Sequence, residues 1–125
     1  MLERYKIYRG KPPADAQRPE GIRQDTRKHT RHCLRPSSEI VLEYLANPST
    51  AAWKKLESSY LRNLEQRWKA DRAPFDDLAD MAAGKNVYIG CSCPTAKNPD
   101  VNRCHTVLAL KFMKKRYPAL EVEFP

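Results

Sequence analysis

Hydrophobic side chains recur at helical spacing through the middle of the chain. Between residues 50 and 69 the apolar and aromatic positions lie three and four residues apart, which predicts one buried stripe along a long helix. Shorter patterns of the same kind predict helices over residues 38–46, 74–83 and 103–116. A proline or a glycine follows each of these three segments and marks the end of the helix.

Four short runs near the two ends of the chain have the pattern of β-strands instead. Residues 86–91 form a β-branched and aromatic run that predicts a buried strand. Residues 5–8 and 21–26 predict two further short strands. Residues 120–124 alternate between apolar and acidic side chains, which predicts a final strand.

The order of these elements indicates the fold class. A strand, a helix and a strand over residues 87–124 form a βαβ unit, whose strands are expected to run parallel. With three helices before it, this unit predicts an α/β fold, a small Rossmann-like three-layer sandwich with a mostly parallel sheet. The length of 125 residues fits a single domain over residues 1–125. Within it, residues 10–36 lack helical periodicity and predict a long basic loop or arm.

The net charge of the chain indicates what kind of molecule it could bind. The formal net charge is +8, and residues 1–36 carry ten lysines and arginines against four acidic residues. Such a balance attracts phosphorylated small molecules or nucleic acids, although it also suits the solvated surface of any basic protein. Apolar runs are far shorter than the roughly 20 residues of a membrane span, so no membrane partner is expected. The charged first residues predict no secretory signal, which leaves the cytoplasm as the expected compartment.

The main candidate site combines cysteines from two elements. Cys91 and Cys93 follow the predicted buried strand, and Cys104 and His105 open the next helix. Ligands of parallel α/β sheets bind at the carboxyl ends of the strands, and helix N-termini favour anions and thiolates. We therefore predict an anion-binding site with Cys104 and His105 as catalytic residues and Cys91, Cys93 and Arg103 as ligand contacts.

Three other interpretations of the same residues remain open. A metal ion would use Cys91, Cys93, Cys104 and His105. Against it, one residue separates the paired cysteines where two to four are usual, and neighbouring helical side chains point about 100° apart. A disulfide would join Cys104 to Cys91 or Cys93, and buried thiols without chemistry pack as small apolar groups. No particular cofactor is indicated.

Two further groups of polar side chains precede the first helix. Asp25 and Arg27 come where a strand is expected to end, so they are expected to face the same crevice as ligand contacts. An ordinary surface ion pair is the alternative. His29, His32 and Cys33 could supply metal ligands or reach the same crevice, but they lie among basic residues, which favours a surface patch.

The helical and cysteine motifs together match the pattern of a known family. The residues that carry the match are Trp53, Lys54, Lys55, Leu56, Tyr60, Leu64, Leu78, Ala79, Ala82, Cys91, Cys104 and His105. With them the chain resembles the family catalogued as domain of unknown function 488 (DUF488). The resemblance implies a Rossmann-like α/β fold and no established activity. It also implies a shared set of site positions, namely Asp25, Arg27, Cys91, Cys93, Cys104 and His105.

These patterns lead to one principal hypothesis about function and two alternatives. In the first, the protein binds a phosphorylated ligand, a nucleotide or a nucleic-acid end, and processing of that ligand is a further step. Arg27 and Arg103 would contact the phosphate, Cys104 would act as a thiolate and His105 as a general acid or base. The alternatives are a non-catalytic nucleic-acid-binding module that uses residues 1–36, and a structural domain stapled by a metal or a disulfide. Whether the protein is an enzyme stays open.

Overall fold

A computed structural model describes residues 1–16 and 18–125 of the chain. Within these residues it contains a parallel β-sheet, four α-helices and a short 3-10 turn at Val101–Arg103. The strands and helices are β1 Leu2–Lys6, β2 Ile22–Asp25, α1 Ser38–Ala46, α2 Thr50–Ala70, α3 Ala73–Gly84, β3 Val87–Cys91 and α4 His105–Arg116.

The sheet has the strand order β1-β3-β2, and both pairings are parallel. Leu2 of β1 and Ile22 of β2 both lie opposite Val87 of the central strand. Val87 and Ile89 are fully buried, as expected for a strand with a neighbour on each side. The structure thus confirms a mixed α/β fold with a parallel open sheet, a small Rossmann-like sandwich.

The first strand begins earlier than the sequence pattern predicts. It covers Leu2–Lys6, whereas the aromatic side chains placed the predicted strand at residues 5–8. The physical reason lies in the register, because Leu2 is fully buried and lies opposite Val87 at the start of β3. Burial by a distant strand decides where β1 starts.

The final strand is much shorter than the predicted residues 120–124. It consists of one parallel bridge between Val122 and Leu2. Past this bridge, Phe124 is largely exposed, and Pro125 has no N–H group to continue a ladder. The predicted βαβ unit is therefore incomplete, because α4 leads from β3 to a single bridge on β1 and not to a second strand.

The four predicted helices are confirmed, with differences of one or two residues at their ends. Ser37 and Ser49 cap α1 and α2 with their hydroxyl groups. The fourth helix begins at His105, two residues later than predicted, because Asp100 caps the separate 3-10 turn and Cys104 has an extended backbone. Throughout the described part of the chain, each helix is too short or too polar to span a bilayer.

The core lies where α2 and α4 pack together and where α4 covers the sheet. From α2, Leu56, Tyr60 and Leu64 are buried, as their helical spacing predicts. From α4, eight of twelve residues are buried, because this helix contacts α2, β1 and β3. This central position of α4 places its first residues at the carboxyl end of β3.

The segment between β1 and α1 is anchored at several points. Gly21 has φ +138°, and a Cβ atom there would lie 2.5 Å from the backbone oxygen of Asn86, so only glycine fits this approach to β3. Further along, Thr26, Leu34 and Pro36 are fully buried. The second half of the predicted loop therefore packs against the core.

Candidate functional site

A cleft of about 450 Å³ opens beside the carboxyl ends of β2 and β3. Four basic side chains line it, together with an apolar group from the segment around α1 and polar groups that follow β3. Its lining residues are Arg9, Arg27, Lys28, His29, Pro36, Val41, Leu45, Cys91, Ser92, Cys93, Thr95, Asn98 and His105.

Three cysteine side chains meet at the floor of this cleft. The Sγ atoms of Cys91, Cys93 and Cys104 all lie within 4.8 Å of one another, and all are free thiols. Cys91 ends β3, and Cys104 immediately precedes α4. Cys91 and Cys93 line the cleft, whereas Cys104 is only 2% exposed and lies behind them.

Cys104 and His105 lie close together although they are neighbours at the start of a helix. The expected 100° separation assumes that both residues are helical, but Cys104 has φ −118° and ψ 144°. Its Sγ atom lies 3.9 Å from Nδ1 of His105. The late start of α4 thus brings the thiol and the imidazole to the same place.

Polar groups direct hydrogen bonds at two of the sulfurs. The Nδ2 group of Asn98 donates to Sγ of Cys93 over 3.3 Å. The hydroxyl of Thr106 donates to Sγ of Cys104 over 3.2 Å and accepts a hydrogen bond of 3.0 Å from Nε of Arg4. Arg4 therefore orients the hydroxyl so that its proton points at the sulfur.

The three thiols influence one another's pKa values. Hydrogen bonds from Cys104 and then Cys91 lower the pKa of Cys93. Hydrogen bonds with Cys91 and Cys93, together with burial, raise the pKa of Cys104. For Cys91, the bond with Cys104 lowers the pKa, but the bond with Cys93 and burial outweigh it. These shifts favour the thiolate form at Cys93 over Cys91 and Cys104.

His105 is held in one tautomer by its contacts. Its Nε2 atom lies 2.9 Å from Oγ1 of Thr26, whose hydroxyl proton is donated to the backbone oxygen of Gly90 over 3.0 Å. Since that hydroxyl has only one proton, Nε2 must donate, which leaves Nδ1 as an acceptor facing Cys104. Burial lowers the pKa of His105 to about 4, so the ring is neutral at pH 7.

Replacing Thr26 with valine tests this arrangement. The variant keeps the shape of the side chain but leaves the Nε2–H group of His105 without its acceptor in a buried place. We expect the free energy of unfolding to fall by about 1–3 kcal/mol, measured by urea denaturation. The variant Thr30→Val serves as a control, because Thr30 is only part-buried and donates locally to Arg27. Equal losses in both variants would contradict a special role for Thr26.

Two arginines converge on one hydroxyl at the cleft. Arg27 is held by the carboxylate of Asp25 through bonds of 3.0 and 2.7 Å. Burial alone would raise the pKa of Asp25, but hydrogen bonds from Arg27 and its charge outweigh burial and lower it. A further N–H of Arg27 lies 3.3 Å from Oγ of Ser92, and Nε of Arg9 lies 3.4 Å from the same atom.

The other predicted site residues lie in different surroundings. Arg103 does not line the cleft, since its guanidinium donates to the hydroxyl of Thr50 over 2.9 Å. His29 reaches the cleft, whereas His32 and Cys33 lie outside its lining. Burial raises the pKa of Cys33 to about 11, so this thiol stays protonated.

Several residues of the site carry no signal in the sequence. Arg4 and Thr106 are hydrogen-bonded but 102 positions apart. Arg9 and Asn98 belong to segments without a motif, and neither has a neighbour in sequence that indicates a role. Ser92 is the one residue that sequence reasoning can find, because it separates Cys91 from Cys93.

A parallel sheet with three thiols and a neutral imidazole gathered at its carboxyl edge defines a Rossmann-like protein with a cysteine-lined cleft. The family model DUF488-N3a, described as "Active DUF488-N3 subclade", matches residues 10–117. The chain therefore belongs to the DUF488 family, in agreement with the resemblance in its sequence. Neither the curated proteins nor the solved structures compared with the chain include a match.

Proposed function

We propose that this cleft binds a phosphorylated ligand, a nucleotide or a nucleic-acid end. The observation that carries the proposal is the convergence of Arg9 and Arg27 on the neutral hydroxyl of Ser92. Guanidinium groups bind phosphate oxygens through paired, charge-assisted hydrogen bonds. A phosphate beside Ser92 would offer these two cations a better acceptor than one hydroxyl oxygen.

The remainder of the lining suits the other parts of such a ligand. Lys28 adds positive charge at the same cleft, and the imidazole of His29 lines it as a further polar group. Pro36, Val41 and Leu45 supply an apolar wall against which a nucleobase can pack. The volume of about 450 Å³ falls within the range of roughly 300–1,000 Å³ typical of small-molecule sites.

Processing of the ligand is the second part of the proposal. The matched subclade is described as active, and this favours a reaction over simple binding. His105 lines the cleft as the candidate general acid or base, and its unprotonated Nδ1 faces the thiol of Cys104. Cys104 lies behind the other two cysteines and does not line the cleft itself.

Replacing either converging arginine should weaken the binding of a nucleotide. With adenosine 5′-monophosphate as the probe, we expect Arg9→Gln and Arg27→Gln each to raise Kd by roughly 10- to 100-fold, because each removes a charge-assisted hydrogen bond of about 1.5–3 kcal/mol. Isothermal titration calorimetry measures Kd directly. Arg9→Gln is the simpler variant, since Arg27 also holds Asp25.

Arg103→Gln is the matched control for these variants. It removes the same charge from a position outside the cleft, and we expect Kd to stay unchanged. Adenosine, which lacks the phosphate, should bind far more weakly than the monophosphate. Equal affinities for the two compounds, or an equal loss in Arg103→Gln and Arg9→Gln, would refute the proposal.

A groove elsewhere on the surface favours a second candidate function, non-catalytic binding of single-stranded nucleic acid. It has a volume of about 520 Å³, and Tyr5, Tyr8, Lys6, Arg18 and Arg23 are among its lining residues. Aromatic side chains among basic ones are typical of surfaces on which bases stack. An oligonucleotide with a 5′-hydroxyl end distinguishes the two functions. If it binds in the groove, its affinity should be unchanged in Arg9→Gln and should fall steeply as the salt concentration rises.

A further inference from the structure

We infer that Cys91, Cys93 and Cys104 form a binding site for one thiophilic metal ion, for which Zn²⁺ is the best-fitting biological candidate. The inference does not depend on the proposed ligand, because metal binding is measured without a nucleotide. It assigns a role to the buried Cys104, whose thiol lies behind the cleft lining.

The distances between the sulfurs are close to those of a metal–thiolate site. Tetrahedral zinc has Zn–S bonds of about 2.3 Å, which places its sulfurs about 3.8 Å apart. The three Sγ atoms here are all within 4.8 Å of one another. A contraction of at most about 1 Å therefore brings them to bonding geometry, within the reach of side-chain rotation.

The secondary structure around the three cysteines explains how a metal site can form although only one residue separates Cys91 from Cys93. Cys91 ends β3, and Cys93 lies in the loop that leaves it, so the chain turns between them. Cys104 enters from the other side, immediately before α4. One intervening residue argues against metal binding only where both cysteines lie on one regular element, and they do not here.

Hydrogen bonds to the sulfurs favour metal-bound thiolates over packed neutral thiols. A neutral thiol is a weak acceptor, yet Asn98 donates to Cys93 and Thr106 donates to Cys104. Asn98 and Thr106 are themselves buried, at 6% and 0% exposure. Donors placed in this way are characteristic of the polar groups that orient metal ligands. Arg4, which holds Thr106, also donates to the backbone oxygen of Cys93 over 2.6 Å and so helps to fix the position of this ligand.

The chemistry of the donor set selects the class of metal. Thiolates favour soft or borderline ions such as Zn²⁺ over Mg²⁺ or Ca²⁺. On binding, the thiol protons pass to solvent and three metal–sulfur bonds form without any change of oxidation state. Three thiolates leave a fourth coordination position for a further donor, and Cys91 and Cys93 connect the cluster to the cleft that they line. Three protein ligands with one open position are typical of catalytic zinc sites.

Titration with Co²⁺, a spectroscopic substitute for Zn²⁺, tests the inference on the full chain. The protein is first freed of metal and kept reduced with a phosphine. We expect one equivalent of Co²⁺ to give intense thiolate-to-metal absorption and visible bands of tetrahedral geometry, and Zn²⁺ to displace it at one equivalent. Cys91→Ser and Cys93→Ser should weaken Zn²⁺ binding by more than the roughly 10- to 100-fold that loss of a hydrogen bond to a ligand costs.

Cys33→Ser is the matched control, because Cys33 is a half-buried thiol outside the cluster. Its absorption and its Zn²⁺ affinity should equal those of the parent protein. Circular dichroism of each variant separates loss of a ligand from loss of the fold, and Thr106→Val supplies a second, milder variant with an expected loss of roughly 10- to 100-fold. The inference would be overturned if the folded, reduced parent protein showed no saturable Co²⁺ binding. It would also be overturned if Cys33→Ser and Cys93→Ser lost Zn²⁺ affinity equally.

Discussion

Replacing Tyr60 with alanine is expected to lower the free energy of unfolding by about 3–5 kcal/mol. The ring is fully buried between α2 and the site, and it packs edge-on against the imidazole of His105 with 5.8 Å between ring centroids. Its hydroxyl donates to the backbone oxygen of Leu34 over 2.6 Å. The variant therefore loses buried area and creates a cavity beside His105. Urea denaturation followed by circular dichroism measures the change.

Tyr60→Phe separates the hydroxyl from the ring. This variant keeps the packing against His105 and leaves the oxygen of Leu34 without its donor, so we expect a loss of about 1–3 kcal/mol. Leu42→Ala is the control, because Leu42 is 56% exposed and surface substitutions usually change stability by less than about 0.5 kcal/mol. A loss in Tyr60→Ala no larger than in Leu42→Ala would show that Tyr60 does not support the site.

Replacing Ile89 with alanine is the second variant with a large expected effect, a loss of about 2–5 kcal/mol in the free energy of unfolding. Ile89 is fully buried in the central strand, with Arg4 of β1 and Gln24 of β2 as its register partners. A cavity at this position leaves fewer contacts to hold β3. Since Cys91 ends the same strand, we also expect weaker Co²⁺ binding, measured by the titration described above.

Ile89→Val provides the graded comparison, because it removes one methyl group and should cost about 0.5–1.5 kcal/mol. Its Co²⁺ affinity should stay close to that of the parent protein. If valine and alanine at position 89 destabilise the protein equally, the size of the cavity is not the cause and the explanation from packing fails.

The helices were predictable because each depends on local information. The spacing of Leu56, Tyr60 and Leu64 alone predicts the buried face of α2, and hydroxyl caps and prolines mark the helix ends. The strands were less predictable, since partners distant in sequence decide their ends. Leu2 begins β1 because Val87 lies opposite it, and Val122 forms a single bridge to Leu2 rather than a strand.

In the candidate site, too, some residues were predictable from local sequence and others were not. Local sequence patterns place Cys91 at the end of a strand and Cys104 before a helix. These two positions made the cysteine-lined edge of the sheet predictable. The contribution of Arg9 was not predictable, because no local sequence pattern relates Arg9 to Ser92. Arg103 illustrates the converse, since it lies next to Cys104 in sequence and yet donates to Thr50.

By itself the sequence determined the α/β class, the four helices, the family and the order in which thiols and basic residues occur along the chain. These properties depend on periodicity, capping and composition, which act over a few residues. Only the tertiary structure decided that three sulfurs meet, that His105 keeps its proton on Nε2 and that two arginines converge on Ser92. Each of these depends on the register and packing of segments far apart in sequence, and distances of a few ångströms between such segments are set by the whole fold.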